Sequence, residues 1–162
     1  MIIGKGSAGL WQRPSDERWA LVPLRLVVGF GFAAHGYAKL ARGPENFAAI
    51  IGAMGIPAPG LMAWVTSLLE LLGGIALMLG AYVVPISVPL MAVMATALFG
   101  VHFRYGFSSI RLQAITPSGA VFGPIGYELN LLYIAALLAL ASSGPSPLSL
   151  DHRREARGKR LQ

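Results

Sequence analysis

Apolar residues run almost unbroken through four stretches of the chain: Ala20 to Ala38, Leu61 to Leu79, Val83 to Val101 and Ile125 to Ala141. A helix rises 1.5 Å per residue, so each stretch is near the ~20 residues that cross a hydrocarbon core of ~30 Å. The pattern predicts an all-α, integral membrane four-helix bundle. Pro85 and Pro89, in the first turns of the third stretch, should bend that helix or delay its start. Only Gly80, Ala81 and Tyr82 separate the second and third stretches, which makes them an antiparallel hairpin. Between the first two, Phe47, Ile50, Ile51 and Met54 recur at helical spacing and predict a short surface helix. The connection from Phe103 to Pro124, rich in Gly, Ser and Phe, reads as a long loop at the same end of the bundle. The chain then divides into an N-terminal segment (1–19), a four-span bundle (20–143) and a basic tail (144–162). The residues before Trp19 lack the apolar core of a signal peptide, so the first span is expected to be its own, retained insertion signal.

Composition agrees with lipid as the solvent. Of 162 residues, 55% are apolar and 12% charged, where a soluble domain carries about a quarter charged residues. Disorder, a collagen repeat and a disulfide scaffold are excluded. The chain has no cysteine, so it has no thiol nucleophile, no thiolate metal or iron-sulfur site and no disulfide centre of its own. Any redox centre must be borrowed. A chain without thiols is also indifferent to the redox poise around it.

The net charge of +6 is unevenly placed. Lys5, Arg13 and Arg18 precede the first span, and Arg153, Arg154, Arg157, Lys159 and Arg160 follow the last. The two long connections hold only Lys39, Arg42, Arg104 and Arg111. The positive-inside rule then places both termini in the cytoplasm. The tail would meet the anionic inner leaflet. A nucleic-acid role is not expected of five basic residues appended to a membrane bundle. Trp11 and Trp19 on one side, with Tyr37 and Trp64 on the other, fit aromatic interface belts.

Charges inside a span cost about 2.5–3.5 kcal/mol each on insertion scales and face the bundle interior with a partner. Counted inward from Tyr37, Arg25 lies about 18 Å deep, and counted from the outer end of its stretch Glu70 lies about 14 Å deep. An Arg25–Glu70 ion pair locking the first two helices is therefore one expectation, and a buried Glu70 carboxylate that relays a proton is the other. A second group collects at one face of the membrane: His35, Lys39, His102, Tyr127 and Glu128. His35, His102 and Glu128 could form a two-histidine, one-carboxylate metal site. The same group could hold a quinone, with His35, Lys39, His102 and Tyr127 around the ring and Glu70, His102 and Glu128 moving its protons. The plain alternative is a set of wet interfacial side chains. Gly29, Ala33 and Gly36, with Gly73 and Gly74 opposite, predict close helix approach, or a gap that admits a flat ring.

The order of "RLVVGFGFAAHGYAKL", "MGIPAPG", "LLELLGGIALMLG", a histidine closing the third span, "GYELNLLY" and "SPLSLD" resembles the DoxX family of small bacterial membrane proteins, over most of the chain from about Arg25 to Asp151. Carried over by position, the family's pattern falls on Arg25, His35, Lys39, Glu70, His102 and Glu128. The resemblance implies a four-span inner-membrane protein, with members described as subunits of quinone-linked oxidoreductases that act on sulfur compounds or beside soluble redox partners. It leaves a soluble redox partner, a second membrane subunit or a second copy of the chain as candidate partners beside membrane lipid. A non-catalytic membrane anchor or scaffold, and a carrier or binder of a small solute or metal, stand as the other functional readings.

Overall fold

The computed structural model describes residues 18–159; the expectations for Lys5, Arg13, Trp11 and Arg160 fall outside them. The helices are α1 (Leu21–Ala41), α2 (Pro44–Ala53), α3 (Pro59–Leu79), α4 (Val83–Ala97), α5 (Glu128–Ser142) and α6 (Leu150–Gly158), with strands β1 (Leu112–Thr116) and β2 (Gly119–Phe122) before α5. Three helical segments are long and apolar enough to cross a membrane: Arg18–Ala41, Pro59–Leu79 and Val83–Tyr105. The fourth, α5, is apolar but has 15 residues. The chain is thus a mainly helical membrane protein. The short helix expected around Phe47 is α2, opened by Pro44 after Gly43 and packed along α3.

Helix α1 packs chiefly on α3, while α4 packs on both α3 and α5. The α1–α3 contact is made backbone to backbone. A Cβ on Gly74 would sit 2.4 Å from the Ala33 amide nitrogen, and one on Gly36 would sit 2.4 Å from that of Leu71. The small-residue face on α1 and Gly74 thus form the close approach foreseen, whereas Gly73 turns to Ile86 and Leu90 of α4. The buried core takes residues from four helices: Val28 and Phe32 from α1, Leu77 from α3, Leu90 from α4 and Leu137 from α5. Phe32 meets Tyr133 of α5 edge-on at 5.2 Å between ring centres.

Two local expectations are corrected. Helix α4 begins at Val83 with no delay. Pro85 lies in the first turn, where a missing N–H costs nothing because those donors have no intrahelical partner. Two of those orphan donors, the amides of Tyr82 and Val83, are taken by the Asp151 carboxylate at 2.9 and 3.0 Å. The Phe103–Pro124 connection is not all loop: β1 and β2 pair antiparallel across Pro117 and Ser118, with Thr116 opposite Gly119. The Thr116 hydroxyl donates to the Gly119 carbonyl at 2.9 Å, closing the turn.

Asp151 belongs to a C-terminal segment fastened to the α3–α4 turn. Its amide donates to the Gly80 carbonyl at 3.0 Å, and buried Ser149 caps α6 by accepting from the His152 amide. Arg154 lies 4.3 Å over the Tyr82 ring. Asp151→Ala should therefore free the start of α4 at a cost of about 1–2 kcal/mol, the range for a lost cap. Hydrogen exchange at Tyr82 and Val83 should rise together with exchange in α6. Unchanged protection at both places would show that the fastening does not depend on this carboxylate.

Candidate functional site

A cavity of about 990 Å³ opens between α1, α2, α3, α4 and α5, at the end of the bundle where α1 finishes and α3 begins. Its walls are largely apolar, with Phe32, Met54, Leu69 and Val93 among them. Polar side chains also line it: His35, Lys39 and Arg42 from the α1 end, Asn46 from α2, Thr66 and Glu70 from α3, Thr96 from α4, His102, and Asn130 and Tyr133 from α5. Apolar walls with a small set of converging polar groups are the usual make-up of a small-molecule site, and the volume is near the top of the ~300–1,000 Å³ such sites occupy.

The buried carboxylate has a different partner from the one expected. Glu70 pairs with Lys39, and their side chains are 2% and 23% exposed. Arg25 does not reach Glu70: its Nη2 donates to the carbonyls of Leu148 at 2.8 Å and Pro147 at 3.4 Å. The cause is helix register. Gly29 lies against Gly74 and Met78, and Gly36 lies against Ser67 and Leu71. Continued one turn, that register places Arg25 beside Gly80, where an added Cβ would collide with the Arg25 Nη1. Arg25 therefore clamps the C-terminal segment at the opposite end of the bundle. Lys39, in the last turn of α1, reaches Glu70 instead, its ammonium also 4.7 Å over the Phe47 ring.

His102 is held by its backbone neighbours. It closes a short π-helical continuation of α4, Leu98–His102, and irregular turns of this kind recur at functional sites. Its Nδ1 lies 3.0 Å from the Ile125 carbonyl. A carbonyl only accepts, so Nδ1 carries the hydrogen and, in the neutral ring, Nε2 is left with a free lone pair. His35, one turn before Lys39, borders the cavity from an open position on α1.

Tyr127 and Glu128 are not part of the cavity wall. The Glu128 carboxylate accepts from the Ser109 amide at 3.0 Å, and Tyr127 stacks on Phe103 with ring centres 5.7 Å apart. Both fasten the connection between α4 and α5. The expected metal set of His35, His102 and Glu128 is therefore not assembled, and among the described residues no three His, Asp or Glu side chains converge. Asn130 and Tyr133 take their place in the wall. Tyr133 was not singled out by sequence reasoning, although Asn130, Tyr133, Leu137 and Leu140 share one helical face. Asn130 is buried, and its amide donates weakly to the Met94 carbonyl at 3.4 Å.

Comparison with known proteins agrees with this architecture. The DoxX family profile matches residues 20–103, a span that holds α1 to α4, the Lys39–Glu70 pair and His102. A Haemophilus influenzae protein described as uncharacterized is 33% identical over 132 residues, covering 80% of this chain and 87% of that protein. No solved structure matches. The chain belongs to the DoxX family.

Proposed function

We propose that the cavity binds a membrane quinone, and that the protein is the membrane subunit of a quinone-linked oxidoreductase. The observation that carries this reading is the pairing of a large apolar cavity with Lys39, Glu70 and His102 on its wall. A bound quinone would supply two-electron, two-proton chemistry, with electrons from a soluble redox partner or a second membrane subunit. The residues fit such a ligand. The Lys39 ammonium has three donors and only one is needed by Glu70, so the others can donate to a ring carbonyl. His102 Nε2 can accept from a ring hydroxyl and take its proton, and Glu70 can exchange a proton with Lys39. The apolar walls, including Met54, Met62 and Met94, shed water and accommodate a flexible tail. His35 stands at the rim, where it can orient the ring or pass protons outward.

The topology that goes with this function has α5 as a fourth span. At 1.5 Å per residue its 15 residues cover about 22 Å. Ile125 to Tyr127 before it, with tilt or local thinning of the bilayer, make up the difference. Four spans in a bacterial inner membrane bring the basic C-terminal helix to the cytoplasmic side and the cavity mouth to the outer side.

The test is a titration of the protein in nanodiscs with a short-chain benzoquinol and the matching benzoquinone. Wild type should bind both, and His102→Phe should weaken the quinol by about tenfold, the value of one hydrogen bond of ~1.4 kcal/mol. Lack of saturable binding of either form to wild type would favour the scaffold reading.

A further inference from the structure

Both faces of the β-hairpin are exposed, and one of them carries its bulkiest apolar side chains. Strand register puts Ile115 opposite Ala120 and Leu112 opposite Phe122. Because side chains alternate along a strand and the bulge after Leu112 restores the phase, Leu112, Ile115 and Phe122 share one face. They are 57%, 80% and 57% exposed. Ala114, Thr116 and the smaller, less exposed Val121 (43%) lie on the other face. A two-stranded hairpin is marginal on its own in water and needs an apolar surface beneath it. The described residues supply none.

The level of the hairpin is fixed by the helices. The helical run that begins at Val83 ends at Tyr105, and α5 starts at Glu128. The two ends are tied together: the amides of Gly126, Tyr127 and Glu128 donate to the carbonyls of Ser108, Gly106 and Phe107 at 3.0–3.1 Å. Arg111 donates back to the Tyr105 carbonyl at 2.9 Å. The hairpin is therefore held where the chain leaves the membrane, above the Phe103, Phe107 and Tyr127 rings that suit an interface belt.

Charge selects the kind of surface. From Phe103 to Tyr127 there is no Asp or Glu, while Arg104 and Arg111 are present. The nearest carboxylate, Glu128, is engaged by the Ser109 amide. We infer that the hairpin lies on the bilayer beside the cavity mouth, with Leu112, Ile115 and Phe122 in the headgroup and upper acyl region and Arg104 and Arg111 on anionic phosphates. This rests on α4 spanning the membrane and is independent of what the cavity binds.

The absence of cysteine makes a single introduced one a unique label. Ile115→Cys, Phe122→Cys and Ala114→Cys would each carry a nitroxide on full-length protein in nanodiscs of phosphatidylcholine and phosphatidylglycerol. Spectra would be read with oxygen as the apolar relaxant and a nickel chelate as the aqueous one. At Ile115 and Phe122 oxygen should outweigh the chelate at least threefold relative to Ala114, and Arg104→Gln with Arg111→Gln should halve that contrast. Equal access of the chelate to all three positions would overturn the inference and leave the face to a soluble protein partner. A contrast unchanged by the arginine substitutions would overturn the anionic part.

Discussion

Lys39→Met is expected to destabilise the protein by about 3–5 kcal/mol, because it strands a buried carboxylate that has no other hydrogen-bond partner among the described residues. The Glu70 side chain is 2% exposed and Lys39 is its ion-pair partner. Removal of the other member should be milder. In Glu70→Gln the Lys39 ammonium keeps some access to water and the Phe47 ring beneath it, and the amide can still accept a hydrogen bond from the ammonium. The double variant Lys39→Met, Glu70→Gln removes both charges and should recover most of the loss, as neutral replacements of buried pairs commonly do. Unfolding midpoints in detergent order the variants. The double variant should nevertheless bind the ligand poorly, which separates a site role from a packing role. Wild-type stability in Lys39→Met would mean that Glu70 has another partner and that the pair does not organise the cavity.

Gly74→Val should be comparably severe for a different reason. A Cβ at Gly74 would lie 2.4 Å from the Ala33 nitrogen and 2.5 Å from the Gly29 oxygen. Both are backbone atoms, so the α1 and α3 axes must separate. Overpacking typically costs about 1–3 kcal/mol, and a backbone obstacle with no rotamer to yield puts this substitution at the upper end. Gly36→Val meets the Ser67 oxygen at 2.6 Å and should match it. Gly60→Ala has nothing within 4 Å and is the control. Because His35 and Lys39 ride on α1 and Glu70 on α3, both valine variants should also lose ligand binding. A Gly74→Val protein with unchanged stability and binding would show that the helices are not in this close contact.

The run of apolar residues made the helices legible, since burial in lipid writes itself as uninterrupted hydrophobicity. The small-residue contact was legible too, at Gly29, Gly36 and Gly74. The partner of Glu70 was not. Depth counted from the ends of apolar stretches assumes that neighbouring helices start level, yet α1 continues to Ala41 and α3 begins at Pro59. The packing of Gly29 on Gly74 fixes the true offset, and that is a property of two helices together. Lys39 looked like a residue at the membrane surface. Its long stem lets the charge turn inward to a buried carboxylate, the reverse of the usual snorkelling. The hairpin escaped notice because Ala114, Ile115, Ala120 and Val121 are small or apolar on both faces, so no alternation marks the strands. Glu128 and Tyr127 lie close in sequence to the cavity residue Asn130, but residues two apart along a helix face nearly opposite ways, and the Tyr127 and Glu128 amides are tied to the Gly106 and Phe107 carbonyls of the loop.

The most direct test of the account is extraction of the lipid that accompanies the protein. Wild type taken from its native membrane into nanodiscs without detergent, then extracted with organic solvent, should yield about one quinone per chain above the level of empty membrane discs. His102→Ala and the double variant Lys39→Met, Glu70→Gln, isolated in the same way and folded, should yield only the background. Quinone at background in wild type, or equal enrichment in all three proteins, would contradict the claim that His102 and the Lys39–Glu70 pair form a quinone site.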